Sequence, residues 1–240
     1  MDPSGGITVL CGIHNHGQGL ETSLAQVAAD VLGMEVDDVR IVFGDTDACP
    51  YGGGTFGSRS AVLGGGATKL AADELRERLV HVAAHLLEAD EITIELRDRH
   101  AIDGAHPANR ISIAELANIF HLRPDRLPPG LDPVLDATAT YGAPPGRGTF
   151  GNGAHLALVA VDEDTGQIQV LKYFVVSDCG QMINPLIVDG QQRGAVAQGI
   201  GGALSEEFAF DDQANPRSVT MADYLMPTAV EVPRIEVGHL

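Results

Sequence analysis

Two glycine-rich segments place amide, hydroxyl or guanidinium side chains directly before predicted helices. Gln18 lies between Gly17 and Gly19, ahead of an amphipathic segment, and the residues 57–60 (GSRS) precede another. The first-turn N–H groups of a helix have no intrahelical partner, and the helix dipole favours negative charge. Such a helix start, with neutral donors and acceptors and one cation, suits a large polar or anionic ligand.

A third segment of this kind occurs in the second half of the chain. Gln191, in the sequence DGQ, lies near the predicted start of a helix over 188–206. The hexapeptide GGGTFG (52–57) is also echoed by GRGTFG (146–151). Two strand–loop–helix units, each with a Gly-Gln pair, indicate a ligand held between two related lobes. The neutral donors and acceptors that would face it are Gln18, Ser58, Ser60 and Gln191, and the cation is Arg59.

The elements that must position these residues follow from apolar periodicity. A helix over 20–32 is predicted by Leu24, Val27, Ala28 and Val31, and Gly33 is a typical helix end. The other predicted helices are 61–87, 188–206 and a short one that a Ser112–Glu115 capping box opens. The predicted strands are 7–11, 39–43, 92–96, 99–103, 156–161 and 167–176. We therefore predict an α+β fold of two lobes, 1–122 and 134–240, with mixed sheets, covering helices and a Pro-rich linker over 123–133.

Several motifs point to other chemistry. Both hexapeptides match G-x-G-x-x-G, but a dinucleotide fingerprint requires its first glycine directly after a strand and an acidic residue at the end of the next strand. The first match lies several residues past the predicted strand 39–43, the second precedes a strand instead of a helix, and the P-loop sequence G-K-[ST] is absent. Cys11, His14 and His16 are candidate zinc ligands, although the usual second pair is missing. Four loop carboxylates could form an acid–base pair or could cap backbone N–H groups. These are Asp45, Asp47, Asp178 and Asp189. A hydrolase that uses Asp178 or Cys179 stays open as an alternative.

Composition limits the class of protein. The chain has 240 residues, 44% of them hydrophobic, which is enough for a sizeable core. A formal net charge of −18 argues against nucleic acid or an anionic membrane surface as a partner. Three cysteines, without CxxC spacing, indicate a reducing compartment. No apolar run has transmembrane length and no signal sequence is recognisable, so we predict a cytoplasmic location.

Four blocks of sequence resemble the molybdopterin-binding large subunit of the xanthine dehydrogenase family, and most closely its aerobic carbon monoxide dehydrogenase-like branch. They are HGQGLETSLAQVAADVLG (16–33), VRIVFGDTDACPYGGGTFGSRSAVLGGGA (39–67), DCGQMINPLIVDGQQRGAVAQGIGGALSEE (178–207) and DYLMPTAVEVP (223–233). The blocks run from near the first residue to near the last, with 100–150 the weakest section.

The resemblance implies a cofactor, partners and site residues. The cofactor would be molybdopterin cytosine dinucleotide or molybdopterin alone, in either case carrying molybdenum. The molybdenum centre would hydroxylate a small-molecule substrate with the use of water. Electrons would leave through [2Fe-2S] and FAD groups on partner subunits or domains. By position, the implied cofactor-binding residues are Gly17, Gln18, Gly19, Gly57, Ser58, Arg59, Ser60 and Gln191.

The chain also departs from the family. In the family, a Gly-x-Gly-Glu motif follows the MPTA block, and its glutamate acts as a base. That motif does not occur in this sequence, and neither does the upstream half of the subunit. We therefore expect a fragment that covers the second cofactor-binding domain, that binds cofactor weakly when isolated, and that has no turnover alone. A non-catalytic scaffold or interaction fragment is the remaining alternative.

Overall fold

The computed structural model describes residues 1–49, 51–142 and 149–240. The chain divides into two compact units, Met1–Thr149 and Phe150–Leu240. The Pro-rich stretch 123–133 lies within the first unit, where Leu127 is buried in the hydrophobic core. The GRGTFG match at 146–151 begins at 146–148, outside the described residues.

The first unit opens with a strand–helix–strand arrangement. Strands β1 (Ile7–Cys11) and β2 (Val39–Phe43) are parallel neighbours, joined by helix α1 (Leu20–Leu32). The predicted bounds of all three elements are confirmed. Gly33 ends α1 with φ 64°, and a Cβ there would lie 2.3 Å from the carbonyl carbon of Leu96, so only glycine fits.

The remainder of the first unit surrounds a long helix, α2 (Gly65–Leu87), which packs on α1. A π-helical turn, Ser60–Gly64, replaces the first residues of the predicted helix over 61–87. An antiparallel sheet, β3 (Ile94–Arg97), β4 (His100–Asp103) and β5 (Arg110–Ser112), and helix α3 (Ile113–Leu122) complete the unit. Strand β5 was missing from the sequence-based prediction. The core of the unit is built on α2 and α3, and its fully buried members include Leu79, Val82, Leu116 and Phe120.

The second unit contains one mixed sheet and one helix. Strand β7 (Ile168–Asp178) pairs antiparallel with β6 (Asn152–Val161) and parallel with β8 (Ile235–His239). Helix α4 (Pro185–Leu204) supplies Val196 and Ile200 to a core that includes Val175 and Ile235. Strand β8 was not predicted, and α4 begins three residues earlier than expected because the Asn184 side chain accepts the Ile187 N–H (3.1 Å) and so caps it.

These elements confirm the α+β class, with a parallel sheet, an antiparallel sheet and a mixed sheet. Among the helices of the described ranges, none combines the length and apolar character needed to cross a bilayer.

Candidate functional site

The predicted ligand loops of the first unit meet where β1 and β2 end. Parallel neighbours present their carboxyl ends at one edge of a sheet, and this edge is where open α/β sheets bind ligands. The loop after β1 and the loop after β2 are joined there by a reciprocal pair of hydrogen bonds. The His14 N–H donates to Thr55 Oγ1 (2.9 Å), and the Thr55 hydroxyl donates to the His14 carbonyl (2.5 Å).

Glycine makes this approach of the two loops close. The Gly54 N–H donates to the Gly12 carbonyl oxygen (N···O 3.2 Å). A Cβ on Gly52 would lie 2.0 Å from that same oxygen, and a Cβ on Gly12 would lie 2.5 Å from the Tyr51 carbonyl oxygen. Neither position can therefore carry a side chain without separating the loops.

Gln18 has one end of its amide fixed and the other end without a partner. Its Oε1 accepts the His16 N–H (2.9 Å), which identifies the oxygen end of the side chain. Its Nε2 is buried and makes no hydrogen bond within the described residues. Gly19 follows as the N-cap of α1 with φ 76°, a conformation that glycine adopts readily. The loop thus holds an amide donor for which the described residues supply no acceptor.

Arg59 is held in the neighbouring loop by contacts of its guanidinium group. Its Cζ lies 4.8 Å from the centroid of the Phe56 ring, a cation–π contact. A Cβ on Gly53 would lie 2.6 Å from an Arg59 terminal nitrogen, so glycine lets the guanidinium lie against the backbone. The Arg59 Nε is buried and, within the described residues, also lacks a hydrogen-bond partner.

The rest of this loop divides into an exposed corner and a buried anchor. Gly57 and Ser58 have consecutive positive φ values of 58° and 57°, and both are exposed. Ser60 is buried and donates to Thr55 Oγ1 (2.9 Å), so its hydroxyl holds the loop junction together. Ser60 also opens the π-helical turn, and such turns frequently occur at functional sites.

Gln191 lies in the second unit, and its predicted place at a helix start is wrong. Because α4 begins at Pro185, Gln191 lies in the second turn, where its side chain is exposed. Two residues earlier, Asp189 Oδ1 lies 2.6 Å from His239 Nε2. This contact connects α4 to β8.

The alternative catalytic groups are engaged in local structure. Asp45 Oδ1 accepts the N–H groups of Asp47 and Ala48, and Asp178 Oδ1 accepts the Gly180 N–H (2.9 Å), as backbone caps do. Burial raises the pKa of the Cys11 thiol, which keeps it protonated and unfavourable as a metal ligand. Within the described ranges, no three His, Cys, Asp or Glu side chains could together hold a metal ion.

Comparison with known proteins identifies the class of domain. A family profile described as a molybdopterin cofactor-binding domain matches residues 1–233. The chain belongs to this family. This confirms the resemblance that the four sequence blocks indicate.

Individual relatives match along the full chain. It is 40% identical over 240 residues to the nicotine 6-hydroxylase large subunit of Paenarthrobacter nicotinovorans and 36% identical to the carbon monoxide dehydrogenase large chain of Afipia carboxidovorans. Each match covers 100% of this chain and 29% of the relative. The structure of quinoline 2-oxidoreductase from Pseudomonas putida 86 matches with a TM-score of 0.91 and 43% identity, over 100% of this chain and 30% of that one. The chain thus spans less than a third of these relatives.

Two residues at the loop junction were missed by the sequence interpretation. Thr55 makes both hydrogen bonds that link it to His14 across the two loops, and it accepts a third from Ser60 within its own loop. The signal for Thr55 was its place inside GGGTFG, a motif that was interpreted as a possible dinucleotide fingerprint, as an internal echo and as part of a family block, without a role for the threonine. His14 was considered only as a zinc ligand.

Proposed function

We propose that this chain forms part of the molybdopterin site in the large subunit of a molybdenum hydroxylase-type oxidoreductase. The observation that carries the proposal is a pair of buried donors, Gln18 Nε2 and Arg59 Nε, that lack acceptors among the residues the structure describes and lie in two loops joined at the ends of parallel strands. A buried donor without a partner costs about 1–3 kcal/mol. A ligand rich in acceptor atoms would remove this cost at both positions.

The residues fit the chemistry of a pterin with a phosphate tail. Gln18 would donate its Nε2–H to an acceptor on the pterin edge or beside the metal, because its oxygen is already engaged by His16. The corner formed by Gly57 and Ser58, together with Arg59, would hold phosphate oxygens through backbone N–H groups and the guanidinium. Gln191 of the second unit is proposed as a further pterin contact. We infer that the cofactor is the cytosine dinucleotide form.

The bound molybdenum centre would supply two-electron oxidation of a small substrate with oxygen from water. Because the chain spans about 29% of its relatives, the remaining machinery is assigned to polypeptide outside these 240 residues. We propose an upstream half of the same subunit, and partners that carry [2Fe-2S] and FAD. The three dispersed cysteines and the acidic charge support a cytoplasmic enzyme that binds neither nucleic acid nor membrane.

The test uses a chimera in which residues 1–240 replace the matching region of the P. nicotinovorans nicotine 6-hydroxylase large subunit. We expect Gln18→Ala and Arg59→Ala to lower molybdenum content by about tenfold or more, since each removes a donor to a polar or charged group. Gln213→Ala and Arg40→Ala are the matched controls, because both side chains are exposed in the structure. Metal is measured by mass spectrometry per mole of purified protein.

Two results would contradict the proposal. One is unchanged molybdenum content in both site variants of the chimera. The other is the same molybdenum content in the chimera as in a preparation made without molybdate. The isolated 240-residue chain should hold little molybdenum, since a dinucleotide bound on one side only keeps much of its polar surface in water.

A further inference from the structure

Strand β6 is exposed along its whole length. All ten residues from Asn152 to Val161 are solvent-exposed, including Leu156 (64% exposed) and Leu158 (51%). A long exposed apolar strand is rare in a native monomeric protein, because it promotes association with other chains. This strand is therefore a candidate interaction surface.

In the part of the chain that the structure describes, one face of the sheet in the second unit is largely exposed. Val175 of β7 is buried against Val196 and Ile200, so α4 packs on the face that Val175 shares. Successive side chains of a strand point to opposite faces, which puts Phe174 and Val176 on the other face. Leu156 is the register partner of Phe174, and Leu158 lies on the same face two residues further along β6.

The outer edge of β6 is also open. The sheet order is β6–β7–β8, so β6 is an edge strand. Within the described residues, no backbone hydrogen bond from another segment reaches the β6 backbone on the side away from β7. An antiparallel strand that pairs on one side leaves about half of its N–H groups free. Such an edge accepts an added strand through main-chain hydrogen bonds.

We propose that a β-strand of the same large-subunit polypeptide, from outside residues 1–240, pairs with the open edge of β6. The segment that carries this strand covers the apolar face formed by Leu156, Leu158, Phe174 and Val176. This inference rests on the proposed function, in which the chain is part of a longer subunit. The relatives support this occupant, because about 70% of each relative's length lies outside the region that this chain matches.

A second copy of this chain is a less favourable occupant. Each copy carries a formal net charge of −18, so two copies repel one another at long range. A segment of the same polypeptide also binds at a high effective concentration, which a second molecule does not have. The open edge is therefore assigned to intramolecular strand addition.

The first arm of the test uses the 240-residue chain alone. A double variant, Leu156→Lys with Leu158→Lys, should leave the thermal midpoint within about 2 °C, because neither side chain is buried. The control Val175→Lys places a charge in the core and should unfold the second unit. If the double variant lowers the midpoint as much as Val175→Lys does, the face is already covered and the proposal is wrong. A dimer that this double variant dissociates would also overturn it, in favour of a second copy.

The second arm follows amide exchange of β6 in the chimera defined above. We expect the amides that do not bond to β7 to exchange at least tenfold more slowly in the chimera than in the isolated chain. The double variant should remove this protection, whereas Ile92→Lys, a charge at an exposed apolar residue of the first unit, should not. Equal exchange of β6 in the chimera and the isolated chain would overturn the proposal.

Molybdenum content separates this inference from the proposed function. A chimera with a protected β6 that holds no molybdenum contradicts the cofactor proposal and supports strand addition. A chimera that holds molybdenum with an unprotected β6 supports the cofactor proposal and contradicts strand addition.

Discussion

Replacement of Gly52 by alanine tests the loop junction on which the candidate site depends. A Cβ at this position would lie 2.0 Å from the Gly12 carbonyl oxygen and 2.4 Å from the Gly12 carbonyl carbon. Ordinary contact begins at about 3.4 Å, so the two loops must separate by about 1.4 Å. That movement would break the hydrogen bond from the Gly54 N–H to the same oxygen, which is 3.2 Å long.

The expected cost combines overpacking with the lost bond. Overpacking of a close contact costs about 1–3 kcal/mol, and a lost hydrogen bond about 0.5–1.5 kcal/mol. Part of this strain will be relieved because Gly52 itself is exposed, so we expect a loss of about 1–3 kcal/mol in the free energy of unfolding. Urea-induced unfolding followed by far-UV circular dichroism measures it, and amide exchange of Gly54 reports the junction directly.

Gly65→Ala is the matched control. A Cβ at Gly65 would meet no atom within 4 Å, and the residue begins α2 with helical φ. Alanine there should raise the free energy of unfolding by about 0.5–1 kcal/mol, because it restricts the unfolded chain. If Gly52→Ala is as stable as the unsubstituted chain and its Gly54 amide exchanges at the same rate, the close approach of the loops is not a constraint.

Three further predictions concern the first unit. The Arg99 side chain donates a hydrogen bond to Asp38 Oδ2 (2.6 Å) and holds the pKa of that carboxyl below its usual value. The resulting stabilisation is present above about pH 4 and is lost as the pH falls through the lowered pKa. The stability difference between the unsubstituted chain and Asp38→Asn, measured by urea melts, should therefore shrink from about pH 6 to about pH 2.5. Ser112→Ala removes the acceptor of the Glu115 N–H at the start of α3 and should lower the free energy of unfolding by about 1 kcal/mol, whereas Ser112→Asn should stay close to the unsubstituted chain. Equal urea midpoints for the alanine and asparagine variants would contradict this. Leu79→Ala, at a fully buried position of α2, should lower the free energy of unfolding by about 2–5 kcal/mol in the same urea melts. A loss below about 1 kcal/mol would show that the core collapses around the cavity.

The elements that the sequence predicted well have local signals at both ends. Helix α1 begins after Gly19 and ends at Gly33, and its buried residues follow the 3.6-residue period. The start of α4 had an equally local signal, an Asn-Pro pair at 184–185, because asparagine is a good N-cap and proline is favoured in the first helical turn. The prediction gave more weight to the Gly-Gln pair and so placed the start too late.

Strand β8 has no comparable local signal. It is five residues long, and its pairing joins Ile235 to Tyr173, 62 positions earlier in the chain. A strand that is specified by such a distant partner is stabilised by packing that periodicity does not record. The same reason explains why the partnership of His14 with Thr55 was missed, because it depends on β1 and β2 being parallel neighbours.

The candidate site shows most clearly what sequence and structure each contribute. The sequence identified Gln18 and Arg59 as polar residues in glycine-containing loops, but it could not say which of their atoms were already engaged. The structure shows that Gln18 uses its oxygen internally and that the donors Gln18 Nε2 and Arg59 Nε remain buried without acceptors among the described residues. Because these two unpaired donors lie in adjoining loops, we propose that they bind a ligand there. Because both atoms are donors, a ligand that pairs with them would present acceptor atoms to this junction.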